Sequence, residues 1–159
     1  MPESLPDVTR LAAAIASYEV RAVLVGGMAV VYHGATIVTT DVDFAIAYDK
    51  ANVGKLVKAL APLNPRPMRL AVGAAWVWDE LSIRPPWTIF QTDAGRVDLL
   101  VRLPNIDSFA GLYERAVIAR LGGATVRVAS IEDLIAMKTG TGRESDAAHV
   151  RALMALRRL

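Results

Sequence analysis

Apolar residues recur along the chain at two spacings, and the change from one to the other marks out its elements. Val8, Leu11, Ala12 and Ile15 fall at helical intervals behind Asp7, a residue able to cap a helix, so residues 7–17 are predicted to form a short amphipathic helix. The apolar run 22–25 leads straight into Gly26-Gly27 and reads as a strand turning into a short apolar helix over residues 28–32. Residues 41–48 read as a second strand, and residues 50–60 as a helix opened by Asp49. Pro62, Pro65 and Pro67 forbid a longer helix, because proline lacks the N–H that continues it. Beyond them, residues 68–72 are predicted as a short strand and residues 74–81 as a helical turn carrying Trp76 and Trp78. Two extended runs, 88–92 and 96–102, flank Asp93-Ala94-Gly95 and predict an antiparallel hairpin with a three-residue loop; residues 116–121 and 124–128 predict another about Gly122-Gly123. Two helices close the chain, 131–139 behind Ser130 with Glu132 and Asp133 in its first turn, and 145–157. Helices interleaved with strands and hairpins predict an α/β fold, a mixed sheet flanked by helices.

The length, 159 residues, fits one domain over residues 1–159, with residues 130–159 as a C-terminal helical pair. A hydrophobic fraction of 53% against 21% charged residues excludes a disordered chain. The absence of cysteine excludes a disulfide framework, a thiolate zinc site and a cysteine nucleophile; with two histidines, a bound metal would depend on oxygen ligands. The uncharged stretch 22–40 contains Gly26, Gly27, His33, Gly34 and several threonines, and fails as a membrane span. Met1-Pro2-Glu3 does not open a signal peptide, so a cytoplasmic protein without a membrane partner is expected. The net charge of +2 does not by itself indicate a nucleic-acid partner. Its distribution says more: Lys138, Arg143, Arg151, Arg157 and Arg158 outnumber Glu144 and Asp146 at the C-terminal end, as a solvated helix face or a surface for a polyanion.

The chemistry concentrates in Asp41-Val42-Asp43. Strand alternation points both aspartates to one face, their Cα atoms ~6.5 Å apart, with Val42 turned away. Two anions side by side on an otherwise apolar strand repel each other and resist burial, a cost that a divalent cation reverses; Mg²⁺ or Mn²⁺ favours such ligands. One aspartate capping a turn while the other sits exposed would account for an isolated Asp-x-Asp. A third carboxylate weakens that account, because Asp98 lies within the apolar strand Arg96-Val97-Asp98-Leu99-Leu100 and requires a partner. If that strand pairs beside 41–48, Asp98 faces the same pocket as a third metal ligand or as a base. Gly26 and Gly27, between a strand and a helix, leave backbone N–H groups open to phosphate oxygens, though a glycine pair also serves a tight turn. His33 reads as a loop anchor or a catalytic group, and the three tryptophans as packing residues or base-stacking surfaces.

In order along the chain, Gly26-Gly27-Met28-Ala29, His33-Gly34, Thr39 and Asp41-Val42-Asp43 resemble the signature of nucleotidyltransferases related to DNA polymerase β, particularly the small bacterial AbiEii-like toxin group and the minimal nucleotidyltransferases. Asp98 matches that family's third carboxylate, and the tail from Ser130 through Lys138, Arg143 and Asp146 is similar to the AbiEii-like helix pair that brings a Lys and an Arg towards nucleotide phosphates. The resemblance implies the polymerase-β-like fold, catalytic and metal-binding Asp41, Asp43 and Asp98, nucleotide contacts from Gly26, Gly27, Lys138 and Arg143, Mg²⁺ or Mn²⁺ as cofactor and an NTP as substrate. It further implies transfer to RNA, including a tRNA end, or to a protein, within a toxin-antitoxin or phage-defence pair that has a cognate protein partner. The chain departs from the AbiEii-like pattern in having Ile37 and Val38 where a basic residue is usual and His149 in place of a second acidic residue. The missing basic residue at Ile37 favours the alternative of a binding or regulatory module that has lost transfer, and retention of all three aspartates opposes it. An aminoglycoside-type enzyme would be expected to carry an additional acidic substrate-binding domain.

Overall fold

The structure, a computed structural model, describes residues 5–159; the reading of Met1-Pro2-Glu3 lies outside the described residues. Helix α1 (Val8–Ser17) is followed by strand β1 (Ala22–Val25), helix α2 (Gly26–Tyr32), strand β2 (Asp41–Ile46) and helix α3 (Lys50–Leu60). Strands β3 (Arg66–Pro67), β4 (Trp87–Thr92) and β5 (Gly95–Leu100) precede helix α4 (Phe109–Arg115). The hairpin β6 (Val117–Leu121) and β7 (Ala124–Val128) then leads into helices α5 (Ile131–Lys138) and α6 (Glu144–Arg157). The strands form one mixed sheet in the order β3-β4-β5-β2-β1-β7-β6. Pairing is parallel for β2 with β5 and for β1 with β7, and antiparallel elsewhere.

One strand near the centre of the sheet, β1, is wholly apolar. All of β1 is buried, as a strand covered on both faces must be. At the edges lie Pro67 on β3, which cannot donate to a ladder, and β6, which leaves the apolar Val117 and Ile118 exposed. Helix α1 buries Leu11, Ala12 and Ile15 and packs on α3, which buries Val53, Leu56 and Leu60. Trp78 ties α3 to the sheet: its indole lies 4.9 Å from the Phe90 ring and donates to the Val57 carbonyl at 2.8 Å. Helix α2 packs on β2 and meets α5 and α6. Asp7, Asp49 and Ser130 cap their helices as predicted, each accepting a backbone N–H from the first turn. Among the described residues no helix is long and apolar enough to cross a membrane.

Several expectations need correction. Residues 68–72 form no strand. The short pairing falls instead on Arg66–Pro67, opposite Gln91 and Phe90. Residues 74–81 are not a helical turn, and only Glu80–Ser82 winds into a 3₁₀ turn, behind the Asp79 cap. Trp76 and Trp78 spend their indole N–H groups on the Pro65 and Val57 carbonyls, so they anchor this segment by tertiary bonds that local spacing does not contain. The β4–β5 loop is two residues, because Thr92 already pairs with Gly95; the Thr92 hydroxyl donates to the Gly95 carbonyl at 2.7 Å and accepts from Ala94 N–H. Helix α4 was not predicted, although Ser108 followed by Phe109, Leu112 and Tyr113 is a cap with helical spacing.

Candidate active site

Strand alternation and one register assemble the acidic cluster. β2 runs parallel to β5 with Asp41 beside Arg96 and Asp43 beside Asp98, so the side chains of all four share one face of the sheet. One oxygen from each of Asp41, Asp43 and Asp98 lies within 4.8 Å of the other two. Burial pushes the Asp43 carboxyl up to about 7, reinforced by the charges of Asp41 and Asp98 and opposed by those of Lys138 and Arg96. Burial also raises Asp98, against the hydrogen bonds from Arg96. Three converging carboxylates, one of which holds its proton almost to neutrality, fit a hard divalent cation, which would remove the repulsion and stabilise the ionised form.

Gly26 makes room for this cluster. A Cβ on Gly26 would lie 1.8 Å from Asp43 Oδ2, and the residue's φ of +67° is one that glycine alone adopts readily. Gly27 sits against Thr39, 3.0 Å from Oγ1 to the position of a Cβ; the Thr39 hydroxyl donates to the Asp41 carbonyl at 3.1 Å. Thus the glycine pair also serves the carboxylates, a role the sequence does not disclose. Gly26→Ala is expected to displace the Asp43 carboxylate and lower the protein's stability by ~2 kcal/mol, with loss of divalent-cation binding. Thermal denaturation and Mn²⁺ titration check both effects; unchanged Mn²⁺ affinity would show that Asp43 tolerates displacement.

Lys138, at the end of α5, lies near enough to lower the Asp43 carboxyl by its charge. Its ammonium donates to Asp146 Oδ1 at 3.3 Å, while Thr141 Oγ1 and Arg143 Nε each donate to Asp146 Oδ2 at 2.8 Å. A cleft of about 410 Å³ opens along Lys138, the Thr139–Gly142 turn and Arg143. The two cations differ in setting: the Lys138 side chain is 11% exposed and that of Arg143 73%. Asp146, 4% exposed, is the hub that orients them. His149, on the same helix, is held below the usual histidine range by burial and by the Lys138 charge. His33 points its Nε2 at the Ala129 carbonyl, 2.7 Å away, which fastens the end of α2 to the start of the C-terminal helices as a loop anchor would. Arg96 was not singled out as a site residue, although its position two before Asp98 on a strand already puts it on the same face.

No family model matches the sequence, and no curated protein matches it. Solved structures do resemble it. The lincosamide antibiotic adenylyltransferase LnuA, lincomycin-bound, superposes with a TM-score of 0.63 at 14% identity, over 94% of this chain and 96% of its own. The fold is that of the nucleotidyltransferases. The antibiotic-resistance factor ANT(2'')-Ia matches with a TM-score of 0.59 at 15% identity, over 95% of this chain and 87% of its own. An antigenic nucleotidyltransferase-like protein from Paracoccidioides brasiliensis matches at 0.56 and 19%, over 94% of this chain and 72% of its own.

Proposed function

We propose that the protein transfers a nucleoside monophosphate from an NTP to an acceptor hydroxyl and releases pyrophosphate. The observation that carries this reading is the convergence of Asp41, Asp43 and Asp98 in the space left by Gly26. Those aspartates would hold Mg²⁺ or Mn²⁺, which when bound supplies positive charge to the triphosphate. Asp98 takes the acceptor's proton as the acceptor oxygen bonds to the α-phosphorus and the α–β anhydride breaks. The first N–H groups of α2, which no side chain caps, receive phosphate oxygens at Gly26 and Gly27. Lys138 and Arg143, oriented by Asp146, neutralise the departing pyrophosphate.

The acceptor classes make different demands. The AbiEii-like reading, with RNA or protein as acceptor and a toxin-antitoxin partner, draws on the basic C-terminal helix, where Arg151 and Arg158 are exposed and Arg157 pairs with Glu132 at 3.1 Å. A small-molecule acceptor is supported by the near-complete span shared with the lincomycin-bound adenylyltransferase, which removes the need for an additional substrate domain. A module that binds without transferring is the second reading, favoured by the grip of Arg96 on Asp98. Incubation with α-labelled NTP, Mg²⁺ and cell extract distinguishes them. Nuclease-sensitive label indicates RNA, protease-sensitive label a protein and a low-mass product a small molecule; no transfer from any NTP supports the module.

Nucleotide binding is expected to require the ion. At 100 times its Kd, NTP with Mg²⁺ should stabilise the native state by ~2.7 kcal/mol, a Tm rise of roughly 5–10 °C. NTP with EDTA should give much less, and Lys138→Ala should reduce the Mg²⁺-dependent shift. Equal shifts with and without Mg²⁺ would remove the carboxylates from the nucleotide site.

A further inference from the structure

The face that carries the acidic cluster is a square with Asp41 and Asp43 along β2, and Arg96 and Asp98 along β5. Three corners are acidic and the fourth is a guanidinium. Arg96 Nε lies 3.1 Å from Asp98 Oδ1 and Nη2 lies 3.3 Å from Oδ2, a two-pronged grip on one carboxylate. The same Nε is 3.9 Å from Asp41 Oδ2. The guanidinium therefore stands between the carboxylates of the two strands, in the position that an ion bridging Asp98 to Asp41 would occupy. Two cations do not share that position.

We infer that Arg96 supplies from within the chain the positive charge that a second divalent cation would bring to Asp98, so that the site takes one ion, on Asp41 and Asp43. The inference rests on the nucleotidyl-transfer reading and narrows it, because Asp98 then has a single role at the acceptor. One divalent ion and the guanidinium already match the three carboxylates of this face before a triphosphate brings its own charge. Chemistry at Asp98 remains possible, since a bidentate guanidinium uses only part of a carboxylate's accepting capacity and leaves lone pairs for a proton. The planar fork also fixes the orientation of Asp98, as a spherical ion would not. Arg96 is thus a positioning residue that doubles as a resident cation.

The number of ions tests this directly. Bound Mn²⁺ is counted by electron paramagnetic resonance on the full chain with a non-hydrolysable ATP analogue, and circular dichroism checks the fold. The wild type is expected to hold one ion per chain, Arg96→Gln two, and Arg96→Lys, which retains the charge, one. A second variant avoids dependence on how Arg96→Gln folds: Asp98→Asn, which leaves Arg96 facing Asp41, should hold no more than one ion, and Asp41→Asn should lower the affinity for that ion at least ~10-fold. Two ions on the wild type, one on folded Arg96→Gln, or two on Asp98→Asn would overturn the inference and leave nucleotidyl transfer standing. No ion on any form would overturn both.

Discussion

Asp43→Asn is expected to lower nucleotidyl transfer by at least ~100-fold while the protein folds normally, and Asp41→Asn to do the same. The loss follows from the convergence of one oxygen from each of Asp41, Asp43 and Asp98 within 4.8 Å, since a shared ion would lose one of its ligands. The fold should survive because, without a metal, the Asp43 charge is a burden: burial and the neighbouring aspartates hold its carboxyl at about 7. The pH dependence has a definite sign. A native pKa raised above the unfolded value contributes stability that is full below about pH 4 and is lost as the pH rises through about 7. In EDTA, the stability of Asp43→Asn relative to wild type should therefore improve from pH 5 to pH 7.5, while the Mn²⁺ affinity of the wild type rises over the same window as the competing proton leaves. Turnover with α-labelled NTP, melting curves at a series of pH values and Mn²⁺ titration measure these effects. Near wild-type turnover in a folded double variant would reject the enzymatic reading.

Asp146→Ala should have the largest effect on stability, about 3 kcal/mol, or ~10 °C in Tm. Asp146 is almost fully buried and accepts from Lys138, Thr141 and Arg143. Its removal leaves the nearly buried Lys138 ammonium without its counter-charge. Burial alone would raise the Asp146 carboxyl, but the Thr141 hydrogen bond and the charges of Lys138 and Arg143 hold it below the ordinary range. Its contribution is thus full above about pH 4 and disappears only as the pH falls through the depressed native value, so the difference from Asp146→Ala should stay flat between pH 5 and pH 8. The variant should also bind NTP more weakly, because both cations lose the group that orients them. A Tm close to wild type would show that the α5–α6 connection holds its shape without this hub.

What can be read along the chain alone is what depends on near neighbours. Asp7, Asp49 and Ser130 cap helices because a cap bonds to an N–H within its own first turn. Asp41 and Asp43 share a face because strand alternation is a property of the backbone. The resemblance of the Gly-Gly and Asp-x-Asp blocks to nucleotidyltransferases pointed to the fold that the solved structures share. Tertiary structure decided the rest. The register of β2 on β5 put Asp98 beside Asp43 and Arg96 beside Asp41, and it is set by packing of the whole sheet. Gly26 became the gap that admits Asp43, and Asp146 the hub of two cations, only when α2 and the α5–α6 pair were in place. Residues 68–79 escaped prediction because two tryptophan indoles hold that segment to distant carbonyls. Local spacing encodes which face a side chain takes, while its partner across the sheet depends on contacts between residues far apart in the chain, whose energies no short window contains.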